Sequence, residues 1–204
     1  MPYSEPVRRV SVVGNSGSGK TTLALAVANA IGAPHLELDG VFHQADWQPL
    51  ESELFRARVA EFVGGDAWVV DGNYSRVQDL VWQRADTVLW LDLPRRRIMA
   101  QLARRTLQRM LTRTELWNGN TESVRNLLSL DPEVSILRWA WTQHDKYAER
   151  YREAQEDLAN QHLNFVRISS RGAAARIVAS LARQPPAGPP GDARGQSEGG
   201  TAGE

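Results

Sequence analysis

The chain has 204 residues, of which 42% are hydrophobic and 24% are charged, as expected for one globular domain. Its 24 basic and 24 acidic residues give a formal net charge of zero, which excludes a strong overall field toward nucleic acid or an anionic membrane but allows a local basic patch. Because the chain contains no cysteine, disulfides, thiolate metal sites and cysteine nucleophiles are also excluded.

Alternating strands and helices are predicted along the first part of the chain. The apolar residues 7–13 predict a strand, and the spacing of apolar side chains in residues 20–31 predicts the helix that follows it. Residues 34–39 predict a second short strand. This strand is expected to end at Asp39, where Gly40 breaks it.

The later elements continue the same alternation. An amphipathic helix is predicted over about residues 50–63, with its inward positions at Leu54, Val59 and Phe62. Two near-continuous apolar runs, 67–72 and 86–94, predict parallel strands that are covered on both faces. The remaining predicted elements are three helical segments, a fifth strand and a closing helix, at residues 95–112, 121–130, 132–159, 164–169 and 172–182.

Five strands that alternate with helices predict an α/β fold built on a parallel sheet. Residues 185–204 are rich in glycine and proline and contain no large apolar side chain. Such a segment cannot bury enough surface to offset the entropy of ordering, so it predicts a disordered tail. We therefore expect one domain over residues 1–184 and a disordered tail over residues 185–204.

The most informative motif is "GNSGSGKT", residues 14–21, which follows a predicted strand and begins a predicted helix. This is the context of a phosphate-binding loop, in which backbone N–H groups and a helix N-terminus surround an anion. Lys20 is placed to reach the β and γ phosphates, and the Thr21 hydroxyl can ligate Mg²⁺. The predicted nucleotide-binding residues are Gly14, Asn15, Ser16, Gly17, Ser18, Gly19, Lys20, Thr21 and Thr22.

With this loop followed in order by "LELD", "WVVDGNYS" and "ADTVLWLDLP", the sequence resembles the adenylate-kinase-like branch of P-loop kinases. Within that branch it is most similar to the bacterial topology modulation protein (FlaR-like) group, over about residues 7–168. The resemblance implies a five-stranded parallel sheet in the order 2-3-1-4-5 with helices on both faces. It also implies a helical lid after strand four, at about residues 95–130, and ATP and Mg²⁺ as cofactors.

Two aspartates fit the position that holds a Mg²⁺-bound water. In the implied strand order, strand three neighbours the loop strand, so Asp71 at the end of "WVVD" is expected beside Thr21. Asp92 closes "VLWLD" and is the alternative, with a strand-end cap or turn as its other interpretation. Arg76 in "DGNYSR" resembles in position the arginine that grips the acceptor phosphate in adenylate kinases, and a solvated arginine is the other interpretation.

Asp39 is the residue that points to a second substrate. It is predicted at the carboxyl end of strand two, where ligands of open α/β sheets bind. A carboxylate there can orient an acceptor hydroxyl and accept its proton, whereas it repels a phosphate dianion. "ELDGVFH" resembles the corresponding segment of gluconate-type and shikimate-type kinases, whose aspartate contacts an acceptor hydroxyl. A turn cap is the alternative for Asp39, and His43 is interpreted as an exposed loop residue or as a partner in the same site.

The predicted lid is strongly basic. Arg105, Arg109 and Arg113 are spaced by four residues, so they share one helix face. In kinases a lid arginine neutralises charge on the transferring phosphoryl group, and we expect at least one of Arg105, Arg109 and Arg113 to do so here, Arg105 and Arg109 before Arg113. Binding of nucleic-acid phosphates and pairing with acidic segments of the fold are the alternatives. Glu115 and Asn118, after the arginines, are expected to close over the acceptor.

Together these features predict an enzyme, an ATP- and Mg²⁺-dependent kinase that transfers the γ-phosphate to a nucleotide or a small hydroxyl acceptor. The predicted catalytic residues are Lys20, Asp39, Arg105 and Arg109, and the predicted metal residues are Thr21 and Asp71. Two alternatives are a nucleotide-dependent regulator of DNA topology and a P-loop ATPase that uses only water. No apolar run reaches 18 residues, so we expect a cytoplasmic protein without membrane association. A monomer or homodimer is expected, and zero net charge disfavours a nucleic-acid partner.

Overall fold

The computed structural model describes residues 6–112, 117–120 and 136–184. Its five strands are β1 Arg9–Gly14, β2 His35–Glu37, β3 Trp68–Asp71, β4 Thr87–Leu91 and β5 Asn164–Ile168. Its helices are α1 Lys20–Ile31, α2 Leu38–Phe42, α3 Ser52–Val63, α4 Ser75–Arg84, α5 Arg95–Thr112, α6 Ile136–Glu156 and α7 Arg171–Leu181. Three short 3₁₀ turns cover Ala45–Trp47, Trp117–Gly119 and Leu158–Asn160.

All five strands are parallel and lie in one sheet in the order β2-β3-β1-β4-β5. This confirms the predicted fold class and strand order. The loop strand β1 is central, with β3 on one side and β4 on the other. Consequently the carboxyl ends of β1, β2 and β3 lie side by side, and residues that follow these strands come together at one edge of the sheet.

Helices cover both faces of the sheet, because alternate residues of each buried strand are apolar on opposite sides. On one face the buried side chains include those of α3, α4 and α6, among them Phe55, Trp82 and Tyr151. On the other face α1 and α7 contribute Val27 and Leu181, among others. Removing this apolar surface from water is the main driving force for the fold.

The structure corrects three local predictions. β2 ends at Glu37, and Asp39 lies in the first turn of the short helix α2 instead of at the strand end. Gly40 therefore does not end the strand but lies within α2. Because it has no side chain, the Trp117 ring can lie against it, with Cδ1 2.9 Å from where a Cβ would stand. Helix α4, over Ser75–Arg84, was not predicted at all.

The third correction concerns which face of α3 is buried. Leu54 was predicted to face inward but is 44% exposed, whereas Phe55, Val59 and Val63 are buried. The Glu51 carboxylate accepts hydrogen bonds from the first-turn amides and fixes the start of the helix at Ser52. The predicted helix 121–130 and the tail 185–204 lie outside the described residues. None of the described helices combines the length and apolar character needed to cross a bilayer.

Candidate active site

The loop between β1 and α1 is shaped by glycines in backbone conformations that other residues rarely adopt. Gly14, Gly17 and Gly19 have φ of 143°, 78° and 97°. A Cβ on Gly14 would stand 2.6 Å from the carbonyl oxygen of Leu91, so a side chain is excluded there. Gly19 occupies the N-cap of α1 and has no side chain to cap the helix, which leaves the first amides of α1 able to bind an anion.

Two asparagines hold this loop in place. The Asn73 side chain accepts a hydrogen bond from Gly14 N at 3.2 Å and donates to Gly14 O at 2.6 Å, and it also accepts from the Tyr151 hydroxyl at 2.9 Å. Asn15 is buried and donates from Nδ2 to the Ala140 carbonyl at 2.7 Å. The Asn15 side chain therefore braces the loop against α6, and sequence reasoning missed the bracing role of Asn73 and Tyr151.

Lys20 lies at the centre of a cluster of charged groups. Its Nζ donates to the Asn15 carbonyl at 3.3 Å. Burial lowers the pKa of Lys20, and the nearby carboxylates of Asp39, Asp71 and Glu37 oppose this change, while the positive charge of Arg105 adds to it. An ammonium, a guanidinium and three carboxylates thus surround the end of the phosphate loop, although they come from five separate elements of the sequence: Lys20, Glu37, Asp39, Asp71 and Arg105.

Two oxygen atoms in this cluster fit a divalent cation. The Thr21 hydroxyl donates to Glu37 Oε1 at 2.9 Å and keeps its lone pairs for a metal. Asp71 is 2% exposed; its Oδ1 lies 3.3 Å from His35 Nε2, and its buried Oδ2 has no hydrogen-bond partner within the described part of the chain. No group of three or more acidic or histidine side chains suited to a metal occurs among the described residues. Proteins usually hold Mg²⁺ through one or two side-chain oxygens, with waters and substrate phosphates as its other ligands.

The rival aspartate, Asp92, has a different environment. Its Oδ2 accepts a hydrogen bond from Arg167 Nε at 2.7 Å, so its charge is paired with the neighbouring strand β5. Arg76 is exposed and its guanidinium lies 5.7 Å from the Phe42 ring centroid. Of the two aspartates, Asp71 is the one whose carboxylate acts on Lys20.

Asp39 sits beside the phosphate loop with one oxygen already engaged. The Tyr74 hydroxyl donates to Asp39 Oδ1 at 2.6 Å, and the same hydroxyl lies 3.3 Å from His43 Nε2. Burial raises the pKa of Tyr74, and the Asp39 charge raises it further, so Tyr74 remains a donor. His43 is half-buried, and of its two interpretations the structure favours the one in which it joins the surroundings of Asp39.

Helix α5, which carries the predicted lid arginines, packs directly against the phosphate loop. Gln101 Nε2 donates to the Gly17 carbonyl at 2.9 Å, and a Cβ on Gly17 would stand 2.9 Å from Leu102 Cβ. This contact places Arg105, one turn further on, close enough to influence Lys20. Arg109 is half-buried one more turn along the same face, and Arg113 lies outside the described residues.

A second segment, residues 117–120, contacts β2 and helix α2 with the residues that follow it. Trp117 Nε1 donates to Glu37 Oε2 at 2.9 Å, and its ring lies on Gly40. Asn118 Nδ2 donates to the His43 carbonyl. Asn120 accepts from Trp47 N at 2.9 Å and donates to the Gln44 carbonyl at 2.8 Å. Glu115, predicted to act with Asn118, lies outside the described residues.

The remaining predicted nucleotide contacts differ in their exposure. Thr22 is exposed in the first turn of α1, and Ser16 N donates to Asn15 Oδ1 at 2.8 Å. Ser18 is buried, and its hydroxyl has no hydrogen-bond partner within the described ranges. The nucleotide-binding role of these residues stays a prediction.

No protein-family model matches the chain, and no curated protein matches its sequence. The shikimate kinase from Bacteroides thetaiotaomicron is similar in structure, with a TM-score of 0.52, 16% identity, and coverage of 86% of this chain and 96% of that one. The shikimate kinase from Acinetobacter baumannii in complex with shikimate gives a TM-score of 0.51 at 19% identity, covering 86% and 90%. A gluconokinase from Sinorhizobium meliloti 1021 gives 0.47 at 18% identity, covering 86% and 92%.

The chain has the fold of P-loop kinases. This agrees with the branch that the sequence resembles. The narrower assignment to the topology modulation group stays a prediction.

Proposed function

We propose that the protein is an ATP- and Mg²⁺-dependent phosphotransferase that transfers the γ-phosphate to a hydroxyl group of a small molecule. The observation that carries this proposal is the position of Asp39, whose carboxylate acts on Lys20 of the phosphate loop but is not needed to bind a nucleotide there. A loop that served only as a switch or an ATPase has no use for an acceptor-side carboxylate. The two shikimate kinases of the same fold support the proposal.

Each charged residue has a defined part in this reaction. The loop amides and Lys20 bind the phosphates. Thr21 and Asp71 would hold the metal, which when bound would neutralise phosphate charge. Arg105, with Arg109 behind it, offsets charge that spreads over the transferring group. Catalysis then consists of positioning and electrostatic stabilisation, as is usual for phosphoryl transfer.

The acceptor side favours a hydroxyl compound over a phosphorylated one. Asp39 and Glu37 both place negative charge there, and Glu37 is fixed by Thr21 and Trp117. The phosphate of a nucleoside monophosphate is a dianion, and it would lie against these two carboxylates. Like charges brought together away from water cost several kcal/mol, roughly the value found at protein interfaces. Sugars, polyols, cyclitols and nucleosides are therefore the acceptor class that we expect.

A product screen tests this function. The purified protein would be incubated with Mg²⁺, ATP labelled in its γ-phosphate, and a panel of nucleosides, nucleoside monophosphates, sugars, sugar acids, polyols and cyclitols, including gluconate and shikimate. We expect a labelled product with at least one hydroxyl acceptor and none with Lys20→Ala. Release of inorganic phosphate alone, at a rate that no acceptor changes, would contradict the proposal, as would labelling of monophosphates only.

Replacement of Asp39 separates the two halves of the site. Asp39→Asn keeps the size of the side chain and removes its charge, so transfer to the acceptor should fall by about 10²-fold or more, as for loss of a general base. Affinity for a fluorescent ATP analogue should change by less than about threefold, because Asp39 makes no predicted contact with the triphosphate. A parallel loss of nucleotide affinity would show instead that Asp39 has a structural role.

A further inference from the structure

The Tyr74 hydroxyl occupies a central position between two polar side chains of the acceptor region. It lies 2.6 Å from Asp39 Oδ1 and 3.3 Å from His43 Nε2. Asp39 and His43 lie at the start of α2 and just after its end, while Tyr74 immediately precedes α4. Three residues from two separate segments of the chain, helix α2 with its C-cap and the N-cap of α4, thus form one hydrogen-bonded chain, His43–Tyr74–Asp39.

The direction of the hydrogen bonds in this chain follows from the donors and acceptors. An ionised carboxylate only accepts, so the Tyr74 hydroxyl donates to Asp39. The Tyr74 oxygen can then accept from His43, which requires the proton on His43 Nε2. His43 Nδ1 is buried and has no hydrogen-bond partner among the described residues; a bare lone pair is tolerated there better than an unpaired N–H. Both observations select the Nε2–H tautomer.

The ring packing alone does not require the tyrosine hydroxyl. The Phe42 ring lies 4.8 Å from the Tyr74 ring and 5.2 Å from the His43 ring, and Phe55 lies 5.3 Å from Tyr74. A phenylalanine at position 74 would keep these contacts. The hydroxyl, which carries a desolvation cost in this half-buried place, is therefore explained by its hydrogen bond to Asp39.

We propose that Tyr74 and His43 are positioning residues for phosphoryl transfer, acting through Asp39. Their chain holds Asp39 Oδ1, and this leaves Oδ2 to receive the proton of the acceptor hydroxyl. As that proton moves to Oδ2, the acceptor oxygen bonds to the γ phosphorus, the bond from phosphorus to the bridging oxygen breaks, and ADP leaves. The proposal rests on the proposed function, since it assigns how the acceptor carboxylate is oriented.

The hydrogen-bonded chain can be tested without any acceptor. Long-range ¹H–¹⁵N correlation spectra distinguish the two histidine tautomers, and the His43→Gln variant identifies the His43 signals among the four histidines of the sequence. We expect His43 as the Nε2–H tautomer, with ring-nitrogen shifts that change in Tyr74→Phe and remain in place in Tyr151→Phe. An Nδ1–H tautomer, or ring-nitrogen shifts that do not change in Tyr74→Phe, would contradict the hydrogen-bonded chain.

Kinetics test whether the chain positions Asp39. With the acceptor that gives the highest turnover in the product screen, Tyr74→Phe should lower transfer by roughly tenfold or more, as expected for loss of a hydrogen bond to a charged group. Hydrolysis of ATP by water and affinity for a fluorescent ATP analogue should stay within about threefold of wild type. Equal losses of transfer and hydrolysis, or no loss of transfer, would overturn the proposal.

Two substitutions of His43 supply the matched comparison. In His43→Gln the side-chain amide can present an N–H where the imidazole Nε2 stands, whereas His43→Leu removes the donor. His43→Gln should largely retain phosphoryl transfer and His43→Leu should reduce it, while the two variants have equal melting temperatures. Equal transfer activities in the two variants would overturn the role of His43. His162→Gln, which alters an exposed histidine bonded to the Trp82 carbonyl, should leave all rates unchanged. If no acceptor is found, the proposed function fails, while the tautomer spectra still show whether the hydrogen-bonded chain His43–Tyr74–Asp39 forms.

Discussion

At the scale of single residues, the unpaired oxygen of Asp71 is informative because it opposes folding. A buried polar atom without a partner costs about 1–3 kcal/mol, and more when it is charged. Asp71 Oδ2 is such an atom among the described residues, although Oδ1 is 3.3 Å from His35. A bound cation near this oxygen would offset the cost, and this is the physical reason to place the metal at Asp71 and not at Asp92.

The comparison of two isosteric substitutions tests this placement. Asp71→Asn should weaken the Mg²⁺ dependence of nucleotide binding by roughly 10–100-fold, the usual effect of removing a residue that orients a metal ligand. Its melting temperature without metal should not fall, since a neutral amide replaces the buried carboxylate whose Oδ2 has no hydrogen-bond partner among the described residues. The measurements are Mg²⁺ titrations of a fluorescent ATP analogue and thermal melts.

Asp92→Asn serves as the control because it removes the same charge from the rival position. It should lose the charge that pairs with Arg167 and leave the Mg²⁺ titration unchanged. If Asp92→Asn shifted the Mg²⁺ midpoint more than Asp71→Asn, the assignment of the metal residue would be reversed.

Residues of the site differ in how visible they are in the sequence. Lys20 and Thr21 are marked by the glycine pattern, and Asp71 by its place after an apolar run. Tyr74 carries no such mark, because its role depends on a partner 35 positions away in the chain. Glu37 was missed since it lies inside a predicted strand, where the two-residue alternation of β-structure is the dominant signal.

At the scale of elements, the contact between α5 and the phosphate loop links the predicted lid to the predicted nucleotide site. Ile98 O and Leu102 Cβ would lie 3.3 and 2.9 Å from a Cβ on Gly17, and Gln101 bonds the Gly17 carbonyl. The loop can therefore not change shape without moving the start of the helix that carries Arg105. Any side chain at position 17 would push these two elements apart.

Gly17→Ala tests this coupling, with Gly32→Ala as its match. Both glycines have positive φ, 78° and 67°, but only Gly17 faces other atoms, whereas a Cβ on Gly32 meets nothing within 4 Å. Gly32→Ala should cost about 1 kcal/mol from backbone strain alone, and Gly17→Ala a further 1–3 kcal/mol, roughly the cost of overpacking.

Denaturant unfolding measures both free energies, and binding of a fluorescent ATP analogue should weaken only in Gly17→Ala. Equal stabilities for the two variants would show that α5 yields to the new methyl group and that the loop and the lid are not coupled through this contact.

The elements also show why some structure was predicted and some was not. The long α5 was predicted with its observed limits, Arg95–Thr112, since its 18 residues are nearly all of types that favour a helix. Helix α2 has only five residues, too few for a periodic signal, and it forms in part because Gly40 admits the Trp117 ring. Helix α4 follows "DGNYS", whose turn-forming residues masked the pattern of Val77 and Val81 behind it.

At the scale of the whole molecule, the sheet order brings chemistry from distant parts of the sequence to one edge. Asp71 pairs in register with Val12 of β1 and Glu37 of β2, so the loop, the metal residue and the acceptor side must share the carboxyl edge of the sheet. This order was implied by the resemblance and is observed. The acceptor side was less predictable, because Trp117 and Asn120 reach it from beyond α5.

The first and last parts of the described chain are joined by a hydrogen bond. Gln184 Oε1 accepts a hydrogen bond from Val7 N at 3.0 Å, just before β1 and just after α7. Residues 185–204 contain no large apolar side chain, so they have little surface with which to stabilise the domain.

Truncation after Gln184 should therefore leave the unfolding free energy within about 0.5 kcal/mol of the full chain and leave nucleotide affinity unchanged. Gln184→Ala in the shortened chain should cost roughly 0.5–1.5 kcal/mol, the usual contribution of one hydrogen bond. Denaturant unfolding of the three proteins compares these values, and a truncated chain clearly less stable than the full one would show that the tail belongs to the domain.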